Sequence, residues 1–171
     1  MGKRLTTGEV CTRNVTTSLA NISVYAAARL MRANQVGCLA VVDEVAGQRF
    51  PVGILTDRDI LSAVVAENLD PACVQVGEIM STDLITAREN DSLTDLMRTL
   101  RRKGVRRAPV VGEQGELLGM VTLDDVLSVL AEELGLLVMA IPLIVTNDSK
   151  IVTGRSGESD RRRGPVKHSA I

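Results

Sequence analysis

The sequence predicts a mixed α/β (α+β) fold made of two similar β-α-β-β-α repeats. The first observation is a motif that begins at Gly53 and again at Gly119: glycine, two apolar residues, threonine, two variable residues and aspartate. The second is that strand-length apolar runs alternate with helical apolar stripes in the same order before both motifs. Two such units, neither able to bury its apolar face alone, are expected to pack about an approximate two-fold axis.

Identical residues connect the two copies along most of their length. They are Gly8/Gly77, Glu9/Glu78, Asn21/Asn90, Ser23/Ser92, Arg29/Arg98, Arg32/Arg101, Val36/Val105, Val41/Val110, Val42/Val111, Thr56/Thr122 and Asp59/Asp125. This spread of matches makes chance a poor explanation. It predicts a first repeat over 6–67, a linker over 68–76 and a second repeat over 77–137.

The elements of the first repeat follow from periodicity and turn residues. Asn21 and Ser23 are good N-cap residues, so a helix is expected to start there and to end near Asn34. The remaining elements are a brief strand at 15–17, strands at 37–42 and 50–55 joined by a polar loop at 43–49, and a second helix at 59–66.

The second repeat has clearer boundary residues. Ser92 and Asp95 form a capping-box pattern, and Gly104 stands where a helix C′ glycine is expected. A strand follows at 105–111, and Pro109 inside it indicates an edge position or an interruption of the ladder. A turn at 112–116 leads to the returning strand at 117–121.

The last helix is expected to continue from Asp125 to about Leu137 and to stop at Pro142. Its leucines, Leu127, Leu130 and Leu134, continue the helical stripe. Residues 138–171 are expected to form a C-terminal extension, largely disordered from about 147, because it is rich in Ser, Gly, Asp and Arg.

The repeated motif also carries chemistry. Its threonine and aspartate fall at a strand-to-helix turn, where free backbone N–H groups and partial positive charge favour anions. A hydroxyl and a carboxylate there suit a phosphorylated ligand that bears ribose hydroxyls. The alternative for each single copy is a plain helix N-cap.

The amino-acid composition argues against several classes of function. A formal net charge of −1 gives no general attraction to nucleic acid or acidic membranes, and an aromatic share of 1% argues against base stacking. Cys11, Cys38 and Cys73 are expected to be reduced thiols of a cytoplasmic protein. The single histidine, His168, lies in the polar tail, so we expect neither a metal site, nor a catalytic triad, nor an enzyme. The apolar run 134–145 is too short for a membrane span.

These features resemble paired CBS domains, the Bateman module. The resemblance rests on the tandem units, the Val-Gly-Glu-Ile-Met opening, the Arg-Arg-Ala-Pro-Val-Val strand and the repeated turn, and covers about Thr6 to Leu137. It implies a disc-like pair with two clefts that bind AMP, ADP, ATP or S-adenosylmethionine, with no required cofactor. It also implies that Thr56 and Thr122 contact phosphate and that Asp59 and Asp125 contact ribose.

The two implied sites differ in charge. Arg58 precedes the aspartate of the first motif and favours phosphate, whereas Asp124 takes that place in the second. The second repeat has Arg106 and Arg107 where the first has Gly37 and Cys38. The sequence therefore does not decide which of the two clefts binds the ligand better. Weaker assignments, for packing of the base, are Val15, Leu84, Ala108 and Pro109.

The leading hypothesis is therefore a stand-alone regulatory module, an energy sensor of the cytoplasm, that signals through a partner or its own homodimer. The alternative is a ligand-free interaction or dimerisation module. Nucleic-acid binding through the basic run 101–107 is disfavoured, since cations are common at a helix end. A homodimer is expected because the helix after Asp125 is longer and more apolar than one repeat needs.

Overall fold

The computed structural model describes the backbone of residues 5–152 and the side chains of residues 5–141. The chain divides into two units, of which the first ends at Leu130 and the second begins at Ala131. The first unit contains both repeats up to the start of the last helix. The second contains the remainder of that helix. The tail beyond residue 152, including His168 and the expected disorder there, lies outside the described residues.

The described elements follow the predicted order. In the first repeat they are α1 (Thr7–Val10), β1 (Thr17–Ser18), α2 (Val24–Asn34), β2 (Cys38–Val45), β3 (Gln48–Thr56) and α3 (Asp57–Ile60), which continues as a π-helical turn over Leu61–Val65. In the second they are α4 (Val76–Ile79), β4 (Ala87–Arg88), α5 (Leu93–Lys103), β5 (Arg107–Val111), β6 (Leu117–Thr122) and α6 (Leu123–Val152). The predicted α+β class with two repeats is confirmed.

Each repeat contributes one three-stranded sheet of the same topology. The orders are β1-β2-β3 and β4-β5-β6, with the first pair parallel and the second antiparallel in both sheets. Both antiparallel pairs carry a register shift at the same place, after Val41 in one sheet and after Val110 in the other. A bulge of this kind bends and twists the strand locally. Each bulge therefore shapes the strand that ends at a motif threonine.

The helix ends show which local predictions hold. Ser23 caps α2 by accepting a hydrogen bond from the Ala26 N–H at 3.2 Å, and Gly104 ends α5 with φ 68°. The capping box predicted at Ser92 and Asp95 is wrong, because the Ser92 side chain makes no capping bond. Asp95 instead accepts from Arg98 one turn later at 2.8 Å, a bond to a charged donor that competes with the box.

Two further predictions, the loop over 43–49 and the edge position of Pro109, are corrected. The loop expected over 43–49 is a two-residue turn, because Ala46 and Gly47 both adopt positive φ (51° and 79°), which suits a tight hairpin. Pro109 lies in the central strand, so the edge position is wrong, while the interrupted ladder agrees with the structure. In the first sheet the Ala40 N–H donates to the Thr16 carbonyl at 3.1 Å, and proline at the matching position has no such donor.

The last helix does not stop at Pro142 but spans Leu123–Val152. A proline inside a helix removes one backbone hydrogen bond and crowds the preceding turn. Good helix formers on its N-terminal side, such as Leu137 and Met139, and further apolar residues beyond it allow the helix to continue.

The core is divided among the two repeats and the space between them. One cluster packs α5, β5 and β6 around Leu96, Leu100, Val110 and Val121, and a second packs α2, β2 and β3 around Met31 and Leu39. A third cluster joins the repeats. It contains Ala40, Val42, Leu117 and Met120, with Val15 and Cys38 against it.

The lead-in helices are exchanged between the repeats. Residues of the α1 segment pack on the second repeat: Val10 and Cys11 lie against its core, and Thr12 pairs with Met120 through two 2.9 Å backbone hydrogen bonds. Residues of the α4 segment pack on the first repeat, where Ser81 pairs with Ile54 in the same way. The chain therefore ties the two repeats together at both lead-ins.

Candidate functional site

The two motif turns have the same geometry. The Thr56 N–H and Oγ1–H both donate to Asp59 Oδ2, at 2.8 and 2.7 Å, and the Asp59 N–H donates to Thr56 Oγ1 at 3.2 Å. Thr122 and Asp125 make the same three hydrogen bonds at the same distances. Each pair is a capping box that holds its hydroxyl and carboxylate in a fixed position.

The second carboxylate oxygen distinguishes the two turns. Asp125 Oδ1 accepts a long hydrogen bond from Thr12 Oγ1 at 3.5 Å. Within residues 5–141, the matching Oδ1 of Asp59 accepts no hydrogen bond. The first turn therefore has a carboxylate oxygen that is available to a ligand.

A cleft of ≈ 400 Å³ opens beside the first turn. It brings three cations, Arg58, Arg106 and Arg107, to the motif residues Thr56 and Asp59. Its other lining residues are Ile54, Asp57, Ser81, Asp83, Leu84, Ile85, Gly104 and Val105. The cleft thus combines residues from the end of β3, the approach to β4 and the start of β5.

A second cleft of ≈ 350 Å³ lies beside the other turn. It is lined by Val36, Gly37, Cys38, Arg106, Arg107, Thr122 and Asp124. These positions match much of the first cleft under the internal repeat. Arg106 and Arg107 are the exception, since they line both clefts.

The two arginines are in different states. Arg106 Nη2 lies 3.9 Å from Asp124 Oδ1, and both side chains are largely exposed. Arg107 Nη1 is buried and has no hydrogen-bond partner among the described residues. A buried donor without a partner costs about 1–3 kcal/mol, and more when it is charged. An anion that reaches this atom would remove that cost.

The family model of the CBS domain matches residues 8–66 and residues 76–132, which is most of the chain and coincides with the two structural repeats. The chain belongs to the CBS domain family. The expected resemblance is thereby confirmed, and the two clefts lie between the repeats of a CBS pair.

Similar sequences support the assignment. The CBS domain-containing protein YhcV of Bacillus subtilis is 36% identical over 117 residues, which cover 68% of this chain and 79% of that protein. An uncharacterised protein of Methanopyrus kandleri is 33% identical over 127 residues, 74% of this chain. The match spans only 63% of that relative's length.

Solved CBS structures share the fold. The CBS domain pair of protein MJ0100, in complex with 5′-methylthioadenosine and S-adenosyl-L-methionine, has a TM-score of 0.67 and 25% identity, and the match covers 77% of this chain and 99% of that one. The hexameric CBS-CP12 protein from bloom-forming cyanobacteria has a TM-score of 0.65 and 29% identity, with 74% and 68% covered.

The structure brings most of the predicted site residues of this CBS pair together. Thr56, Arg58, Asp59, Leu84, Arg106 and Arg107 share the first cleft, and Thr122 lines the second with both arginines. Asp125 lies directly behind Thr122 as its capping partner. Ala108 and Pro109 are buried in the sheet, and Val15 packs on the core between the repeats, so none of these three lines a cleft.

Sequence reasoning missed Ser81 as a cleft residue. It lies at the position that matches Thr12, and both residues pair with the strand that leads to a motif threonine. The repeat alignment therefore contained the signal, but only the exchanged lead-ins explain why Ser81 lies beside Thr56. Asp57 and Val105 enter the cleft as neighbours of predicted residues.

Ionisable groups also lie outside the clefts, where they could bind a metal ion or have a shifted pKa. Within residues 5–141, His, Cys, Asp and Glu side chains make no group of three that could hold a metal ion. Burial raises the pKa of the Cys11 thiol above its ordinary value, and Arg13 partly offsets this. Among the described residues, no helix combines enough length and apolar character to cross a membrane.

Proposed function

We propose that this CBS pair is a regulatory module that binds an adenosine-containing ligand between its repeats. The observation that carries the proposal is the buried, unpartnered Nη1 of Arg107 in a cleft that also holds the Thr56–Asp59 turn. An unpaired guanidinium donor in a cleft is well suited to a phosphate group, because guanidinium and phosphate form paired, charge-assisted hydrogen bonds.

The motif pair supplies the rest of the recognition. The Thr56 hydroxyl lines the same cleft as the arginines, and a phosphate oxygen can take its Oγ1–H in place of Asp59 Oδ2, to which the Thr56 N–H still donates. The Oδ1 atom of Asp59 can accept hydrogen bonds from ribose hydroxyls, while Oδ2 stays engaged in the capping box. The ligand candidates are AMP, ADP, ATP and S-adenosylmethionine. The MJ0100 pair, solved with two adenosyl compounds, supports this ligand class by similarity.

The proposed role is regulatory rather than catalytic. A ligand that binds one arrangement of the repeats more tightly shifts the population toward it by its difference in affinity. The shifted state would be read by a partner polypeptide or by a second copy of this chain. We propose a cytoplasmic location, which suits the three free cysteines, and a role in sensing adenine nucleotides.

A second candidate function is a dimerisation module whose clefts stay empty. The observation that favours it is the exposed apolar surface on α6, where Leu127 is 53% and Leu130 is 46% exposed. We propose a homodimer through this surface under either function. The hexameric CBS-CP12 protein shows that a related pair assembles with copies of itself.

Titration calorimetry tests the ligand proposal. The wild-type chain is expected to bind AMP, ADP, ATP or S-adenosylmethionine, and a guanine nucleotide serves as the base control. Asp59→Ala should weaken binding about tenfold or more, because hydrogen bonds to a charged group contribute about 1.5–3 kcal/mol each. Asp95→Asn is the matched control, since Asp95 pairs with Arg98 on the surface of α5.

If Asp59→Ala leaves the affinity for the adenosine compound unchanged, the ligand binds elsewhere on the chain. If none of the adenosine compounds binds the wild-type chain, the regulatory proposal is wrong. The dimerisation module then becomes the better account.

A further inference from the structure

We propose that each chain accepts one phosphate-bearing ligand, in the first cleft, and that its binding makes the second cleft selective for an uncharged or cationic ligand. This rests on the proposed function, since it concerns how the two clefts divide the adenosine-containing ligands. The inference comes from the way the two clefts share their positive charge.

The shared charge is the pair Arg106 and Arg107, which line both clefts. A guanidinium group that closes on a phosphate in one cleft is no longer available to a phosphate in the other. Two anionic ligands on one chain would therefore compete for the same donors. The first to bind takes most of the favourable charge interaction.

One matching position of the motif carries opposite charge in the two clefts. At matching positions of the motif, Arg58 lines the first cleft and Asp124 lines the second. Among the described residues that line the second cleft, Arg106 and Arg107 are the only cations. When both arginines turn toward the first cleft, Asp124 is the only charged residue left among the described residues that line the second cleft.

The first cleft also has three carboxylates, so its capacity for phosphate depends on which of its charged groups already have partners. Asp57 Oδ1 accepts from the Arg58 backbone N–H at 2.8 Å, and Asp59 Oδ2 is held by Thr56. Asp83 Oδ2 lies 3.9 Å from Lys103 Nζ. Each carboxylate thus has a donor or cation nearby. By contrast, Arg107 Nη1 has no partner among the described residues.

Arg106 provides the connection between the clefts. Its contact with Asp124 is 3.9 Å long and exposed, and pairs of this kind are weak. A phosphate in the first cleft can therefore draw Arg106 away at little cost. Asp124 then repels a second phosphate and attracts a positive group, such as the sulfonium of an adenosyl ligand. Linkage requires the reverse as well, so a cation in the second cleft favours phosphate in the first.

Calorimetry with full-length chain tests the division, with AMP as the anionic probe, adenosine as the neutral one and S-adenosylmethionine as the cationic one. We expect one AMP per chain in the tight phase and a second site at least about tenfold weaker, within the usual range of coupling between sites. Saturating AMP should leave adenosine binding at the second cleft in place and should tighten S-adenosylmethionine there.

Charge exchange at the two matching positions provides the decisive variants. Asp124→Arg should bring AMP binding to two per chain, and Arg58→Asp should abolish the tight site. Both positions are exposed and neither side chain makes a capping bond that holds a helix, so the variants should fold. Asp124→Asn is the intermediate case and should strengthen the second site less than Asp124→Arg.

Alkylation of Cys38 reports on the second cleft independently, because Cys38 lines it and Cys73 is an exposed internal reference. At concentrations that fill the tight sites, adenosine or S-adenosylmethionine should slow the reaction of Cys38 relative to Cys73, and AMP should not. Three results would overturn this division of ligands while leaving the proposed function intact. They are two equal AMP sites in the wild type, a single AMP site in Asp124→Arg, and protection of Cys38 by AMP at that concentration. No binding of any adenosine compound would overturn both.

Discussion

At the scale of single residues, the motif threonine and aspartate have a structural role and a candidate ligand role at once. Thr56 and Asp59 close a capping box that Thr122 and Asp125 reproduce. The repeat was enough to predict both pairs, because a spacing of three residues places them on one helical turn. It could not predict the unpaired Nη1 of Arg107, since that depends on which side chains fail to reach it.

The glycines that open the two motifs allow a prediction at this scale. A Cβ on Gly119 would lie 2.9 Å from the Thr12 carbonyl oxygen, which belongs to fixed backbone, whereas one on Gly53 would meet the Met80 side chain. Gly119→Ala should therefore cost about 1–3 kcal/mol of unfolding free energy, as overpacking does. Gly53→Ala should cost less, because methionine can repack.

Urea unfolding of both glycine variants, followed by circular dichroism, checks that order. Gly47→Ala is a useful control, since its positive φ of 79° adds strain but no contact. Equal losses for Gly53→Ala and Gly119→Ala would show that the backbone at Thr12 moves as easily as a side chain.

At the scale of elements, helix ends were predictable where backbone conformation decides and unpredictable where side chains compete. Gly104 ends α5 at positive φ, as a glycine after a helical stripe indicates. Asp95 matched the capping-box pattern equally well, yet pairs with Arg98 instead. The hairpin between β2 and β3 was predicted, but its turn was given as 43–49 instead of Ala46 and Gly47, because alanine rarely adopts positive φ.

The last helix carries the prediction at this scale. Leu127, Leu130, Leu134, Leu137 and Ile141 recur at alternating spacings of three and four residues and are all exposed. Such a stripe packs well against another helix of the same kind. Light scattering is expected to give the mass of a homodimer for the wild-type chain and of a monomer for Leu127→Glu combined with Leu130→Glu, because buried carboxylates without partners are costly.

Val45→Glu is the matched control for the helix variant. Val45 is 59% exposed, like Leu127, but lies beside the β2–β3 turn. It should leave the mass unchanged. A monomeric wild type, or a dimer that persists in the double variant, would rule out this surface as the interface.

At the scale of the whole molecule, the exchanged lead-ins make two repeats into one folding unit. The sequence predicted two units with a shared core, but placed each lead-in with its own repeat. In the structure, α1 packs on the second sheet and α4 on the first. Periodicity cannot detect this exchange, because the pattern of apolar residues is the same whichever repeat they cover.

Cooperative unfolding of both repeats follows from that exchange, and a core substitution in one repeat tests it. Leu100 is 4% exposed in the core of the second repeat, so Leu100→Ala should cost about 2–5 kcal/mol. Pulsed thiol alkylation across a urea series should show half-buried Cys11 and Cys38 rising together to the reaction rate of exposed Cys73, at a lower urea concentration than in the wild type. Cys11 reports on the second repeat and Cys38 on β2 of the first.

Tyr25→Phe, an exposed change on α2, is the control and should leave the urea midpoints of both thiols unchanged. Earlier exposure of Cys11 with Cys38 still protected would mean that the repeats unfold separately, and a signal passed between the clefts would then need another route.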